Sequence, residues 1–132
     1  MTREREYNKD HFPLPLIVRH IDGEMWELVQ PFEYITKKGK TIHVPNGFVT
    51  DFASIPKAFW SFIGGPAGKY GPAAVCHDYL YFTQTTTRGY ADATFLEAMD
   101  VLGVKFWRRW TMWLAVVSFG WIPWGKYRED KK

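Results

Sequence analysis

The chain has 132 residues, 46% of them hydrophobic, and its 17 Lys and Arg against 14 Asp and Glu leave a net charge of +3. That length suits one domain with a real core and is too short for two. Cys76 is the lone cysteine, which excludes an internal disulfide framework and a cysteine-rich zinc site, and the near balance of charges without a dense basic stripe argues against a nucleic-acid binder.

The first eleven residues, Met1 to His11, are mostly charged or polar, and no apolar run follows that could serve as a secretory signal. Synthesis and folding in a reducing cytoplasm are therefore expected. From Leu14 to Asp51 the apolar and β-branched residues read as strands: Leu14 to Ile21, Met25 to Thr36, Lys40 to Val44 and Gly47 to Thr50. Asp22-Gly23 and Lys37-Lys38-Gly39 lie between them as hairpin turns, because glycine supplies the positive φ such turns require. The 14–51 segment is thus predicted as a small antiparallel meander.

The pattern changes at Asp51-Phe52-Ala53-Ser54-Ile55-Pro56. Ser54 suits the cap of a short helix from Pro56 to Phe62, and the glycines of 64–68 then break it, making 52–69 a short helix and glycine-rich loop. A second helix is predicted from Gly71 to about Phe82 and a third from Tyr90 to Leu102, forming a hairpin over 70–103. A fourth runs from Lys105 to Phe119 within the aromatic segment 104–125. Strands first and helices after them predict an α+β class.

The site candidates gather on the helix hairpin. His77 and Tyr81 are four residues apart and share a helical face. Asp92 is early on the next helix and stands opposite His77 across an antiparallel pair. A carboxylate on one imidazole nitrogen fixes the tautomer and leaves the other nitrogen to take a proton from water. Tyr81 is within reach of the same Asp92. Asp78 faces a neighbouring direction and is free to hold a hard cation through oxygen, with backbone carbonyls from Gly64 and Gly65 and the nearby acid Asp51 as further oxygen donors. Each feature also has a plain structural reading: His77 with Asp92 as a polar pair joining two helices, Asp51 as an Asx turn, the glycines as a loop, and Cys76 as a packed thiol. His11, His20 and His43 show no ligand spacing.

The run His77-Asp78-x-x-Tyr81 with Asp92 on the partner helix resembles the phospholipase A2 superfamily, and Ala91-Asp92-x-x-Phe95 is similar to the second helix of its parvoviral and microbial branches. That resemblance implies calcium-dependent ester hydrolysis, with His77 as base, Asp92 as its orienter and Asp78 as a calcium ligand. Over most of its length, including Thr50-Asp51-Phe52-Ala53-Ser54-Ile55-Pro56, the chain also resembles an uncharacterised domain-of-unknown-function family common in phage and prophage genomes. This second resemblance implies a phage protein made in the host cytoplasm.

From Trp110 to Gly125 no residue is charged, while Arg108-Arg109 and Lys126-Tyr127-Arg128 bracket the segment. It is too short to span a bilayer, which takes about twenty apolar residues. Trp110, Trp113, Trp121 and Trp124 suit packing on the sheet, a phospholipid or membrane surface, or a subunit interface. The sequence therefore predicts a phospholipase A2-like ester hydrolase in which His77 activates water. The alternative is a non-enzymatic phage virion or assembly protein, with phage structural proteins as partners of the aromatic C-terminus.

Overall fold

The computed structural model describes residues 9–23, 25–52, 54–59 and 68–130. Its strands come first and its helices after them, in the predicted α+β order. Strands β1 (Val18–Asp22), β2 (Met25–Leu28), β3 (Phe32–Ile35), β4 (Thr41–Val44) and β5 (Val49–Thr50) precede helices α1 (Gly71–Thr83), α2 (Arg88–Val101), α3 (Phe106–Phe119) and α4 (Trp121–Asp130).

The segment Met25 to Thr36, expected as one strand, is two. Pro31 offers no N–H to a ladder, and the chain changes sheets across Val29 to Pro31. Strand β2 lies between β1 and β5, whereas β3 and β4 make a separate hairpin, and all pairs are antiparallel. Gly39 (φ +88°) closes that hairpin as its turn requires. Side chains alternate along it: Phe32, Tyr34, Ile42 and Val44 point into the core. Register then sets Trp26 opposite Thr50, which delivers the buried Thr50 to the helical layer.

Of the helix expected over Pro56 to Phe62, the described residues form a single 3-10 turn, Lys57–Phe59; its end, with Gly64 and Gly65, falls outside them. Helix α1 has Pro72 in its first turn, where a missing N–H is harmless. All but three of its residues are buried, because α2, α4, β4 and β5 all pack against it. Helix α2 starts two residues before the expected Tyr90, since the Thr87 hydroxyl accepts from the Tyr90 N–H at 3.1 Å. Helix α4 carries helical structure past the expected end at Phe119 and beyond the aromatic segment, to Asp130. Pro123 lies in its first turn and so does not break it.

Candidate functional site

The short connection between α1 and α2 brings their facing turns together. Asp92, one turn into α2, meets two α1 side chains that are themselves one turn apart. His77 Nε2 is 2.7 Å from Asp92 Oδ1, and the Tyr81 hydroxyl donates to that same oxygen at 2.7 Å. Arg88 approaches Oδ2 at 3.5 Å. The imidazole ring is held between Tyr81 and Phe95, at centroid distances of 4.3 and 4.7 Å. His77, Asp92 and Tyr81 are all buried.

The second nitrogen of His77 is not left to solvent. Nδ1 faces Ser54 Oγ at 3.1 Å, and both groups are fully buried. An ionised Asp92 can only accept, so Nε2 carries a proton, and in the neutral ring Nδ1 is left to accept from the serine hydroxyl. Ser54 thus stands where the sequence reading placed a water. As a helix cap it needed no distant partner, and its actual partner lies 23 residues along the chain. The local signal is Ser54 itself, a polar side chain set between the apolar Phe52 and Ile55, both of which are buried.

The backbone before Ser54 is unusual. Phe52 adopts φ +58°, a left-handed conformation that is uncommon for a bulky residue and unfavourable by roughly 1–3 kcal/mol. Its ring is buried, its N–H donates to Thr50 Oγ1 at 3.2 Å, and its carbonyl accepts from the Ile55 N–H at 3.0 Å. These contacts hold a tight turn that aims Ser54 at α1.

Asp78 continues the network on the other side of Ser54. Thr50 donates to Oδ2 at 2.6 Å and Tyr127 of α4 donates to Oδ1 at 3.1 Å, and Ser54 is near enough to act on the same carboxyl, its single proton serving either Asp78 or His77 Nδ1. Burial pushes this carboxyl above the usual carboxylate range and the charge of Asp51 adds to the effect, while the three hydroxyls oppose it. One continuous polar path therefore runs from Asp78 through Ser54 and His77 to Asp92 and Tyr81. No buried polar side-chain atom among the described residues is left unpartnered.

This arrangement does not fit the calcium site that the resemblance implied. Both Asp78 oxygens already accept from hydroxyls, and Gly64 and Gly65 lie outside the described residues. Among the described residues, no group of three or more His, Cys, Asp or Glu is placed to hold a metal ion. Asp51 is near enough to act on Asp78 through its charge. Cys76 is buried with its thiol pushed well up by desolvation, so it is a packed side chain and not a nucleophile. His11, His20 and His43 find partners in or beside the strands and take no part.

The C-terminal helices close over this network. Gly120, between α3 and α4, is buried so tightly that a Cβ there would lie 2.2 Å from the Tyr81 hydroxyl and 2.9 Å from Arg88 Nη1. Trp124 packs edge-on against Tyr81 at 5.1 Å, so of the four tryptophans considered for a surface role it belongs with the core. Trp113 is half-buried, whereas Trp110 and Trp121 are exposed.

A family described as "Protein of unknown function (DUF1353)" matches residues 26–116, a span that contains Thr50, Ser54, His77, Asp78, Tyr81, Arg88 and Asp92. The chain is 38% identical over 97 residues to the uncharacterized protein y4jT of Sinorhizobium fredii. That match covers 73% of this chain and 29% of the relative, so the chain spans less than a third of that protein's length. No solved structure matches the chain.

Proposed function

The chain belongs to the DUF1353 family of proteins of unknown function, and from its site we propose that it is an ester hydrolase in which Ser54 is the nucleophile, His77 the general base and Asp92 the residue that orients His77. The observation that carries this reading is the hydrogen-bonded sequence Ser54 Oγ to His77 Nδ1 at 3.1 Å and His77 Nε2 to Asp92 Oδ1 at 2.7 Å. Nucleophile, base and orienter within hydrogen-bond reach of one another are the parts of an acyl-transfer site, recognised by geometry and not by order in the chain. The left-handed Phe52 is the kind of local strain that gathers at such sites.

Chemically, His77 Nδ1 takes the Ser54 proton as Oγ attacks the ester carbonyl carbon. The tetrahedral adduct collapses, the carbon–oxygen bond to the alcohol breaks, and the alcohol leaves with the proton from His77. A water then adds by way of the same base, releasing the acid and restoring Ser54. Asp92 stabilises the imidazolium that forms in each half, with Tyr81 holding that carboxylate in place. No step is routed through a cation. All three groups are buried, so the arrangement described is a closed state and turnover requires local opening.

The test is labelling of the folded protein with a fluorophosphonate, read by intact mass and peptide mapping, beside hydrolysis of short-chain p-nitrophenyl esters. A single adduct on Ser54 that disappears in His77→Gln is expected. Absence of any adduct after long incubation of a folded protein, or an adduct elsewhere, would overturn the proposal. Complete burial of a fully satisfied network favours a second reading in that event: a polar lock that pins α1 to α2 and to the Phe52 turn, with no chemistry of its own.

A further inference from the structure

Helix α3 buries one side and leaves the other bare. Met112, Ala115 and Val116 pack inward, while Phe106, Trp107, Trp110 and Leu114 lie within about 100° of arc on the opposite side at 3.6 residues per turn. Those four side chains are 65%, 56%, 41% and 59% exposed. This is a face built of large apolar groups at i, i+1, i+4 and i+8, not scattered single residues, and contiguous exposed apolar surface marks an interaction site.

The face is also ordered and flanked by cations. Phe106 meets Trp110 edge-on at 6.0 Å and Trp110 meets Trp113 at 5.4 Å. The Arg108 guanidinium lies 5.1 Å from the Trp107 ring centre and that of Arg109 lies 5.3 Å from Phe106. Helix α3 contains no acidic residue, and Lys105, which immediately precedes it, is exposed. Like charge around the rim disfavours a second copy of the same face, and aliphatic Leu114 in its midst offers nothing for a base to stack on.

We propose that the exposed face of α3 docks on an anionic lipid surface, with the aromatic and leucine side chains entering the headgroup region and the exposed Lys105 and Arg108 meeting lipid phosphates, while Arg109 stays paired with Asp100 at 3.6 Å. Indole and phenyl rings suit that depth because they pair an apolar body with a polar or polarisable edge. Basic residues add electrostatic attraction that salt screens. No helix among the described residues is long and apolar enough to cross a membrane, so the helix lies along the surface. This inference stands on the surface of α3 and not on the hydrolase reading.

The experiment is co-sedimentation of the full chain with phosphatidylcholine vesicles with and without phosphatidylglycerol, with tryptophan emission read in parallel. Sedimentation with the anionic vesicles only, a blue-shifted emission and release by added salt are expected. Trp107→Glu should lower the bound fraction at least tenfold, and Arg108→Glu should lower it as well, with thermal midpoints near that of the parent because both side chains are exposed. Equal binding to neutral vesicles overturns the proposal, as does binding that Trp107→Glu leaves intact. A dimer that Trp107→Glu dissolves, or retention by a single-stranded oligonucleotide without retention by vesicles, would assign the face to another partner and equally overturn it.

Discussion

Removing the Ser54 hydroxyl is the sharpest perturbation of the network, because that one group joins its two halves. Ser54→Ala strips His77 Nδ1 of the partner at 3.1 Å, while Asp78 keeps its hydrogen bonds from Thr50 and Tyr127. A lost neutral hydrogen bond is unfavourable by about 1 kcal/mol, and a buried nitrogen left without a partner by roughly 1–3 kcal/mol. Only one oxygen is deleted, so the cavity term is small beside these. The expected loss is then about 2–3 kcal/mol, most of it from the stranded imidazole nitrogen. At roughly 3–5 °C per kcal/mol for a chain of this size, that is a fall in Tm of about 10 °C. Urea unfolding followed by circular dichroism would measure it directly as a lower midpoint at unchanged slope. Ser118→Ala, on the exposed side of α3, is the control and should stay within about 0.5 kcal/mol. A Ser54→Ala loss no larger than this control would mean that His77 Nδ1 is not satisfied by Ser54, and the site as described would be wrong.

Two further outcomes follow from the same geometry. Burial raises Asp78 above its reference of 3.8, so the folded chain keeps a proton that the unfolded chain gives up. Its contribution is full below pH 3.8 and is lost as pH rises through the folded value; stability measured across that rising window should therefore fall in the parent and fall less in Asp78→Asn, and an identical slope in both would refute the assignment. Gly120→Ala places a methyl 2.2 Å from the Tyr81 hydroxyl and 2.3 Å from the Val116 carbonyl, an overpacking expected to destabilise by about 1–3 kcal/mol. Tyr81→Phe removes the first of those clashes, so in a double-mutant cycle the pair should lose less than the sum of the single variants by about 1 kcal/mol, and strict additivity would show that residue 120 does not press on Tyr81.

Local signals in the sequence carried most of the architecture. Strand-rich segments before helix-rich ones set the class, and the turn glycines Gly23 and Gly39 were legible because their backbone geometry is a property of the residue itself. The pairing of His77 and Tyr81 with Asp92 was legible too, since helical spacing and a short connection fix which side chains face one another. The split of Met25 to Thr36 was less so: Pro31 marks a break, but only the register of β2 on β5 shows that the two halves serve different sheets. Helix α4 was not legible either, because whether Pro123 ends a helix or begins one depends on what it packs against.

What the sequence determined by itself was therefore the order of elements and the contacts made within one helix or across one short turn. What only the tertiary structure decided was the company His77 keeps on its other side. Ser54, which meets His77, and Thr50 and Tyr127, which meet the neighbouring Asp78, come from a turn, a strand and the last helix, 23, 28 and 49 residues from their α1 partners. No periodicity relates positions so far apart. Their meeting follows from the packing of whole elements, since a buried histidine and a buried carboxyl must find polar partners wherever the surrounding layers supply them.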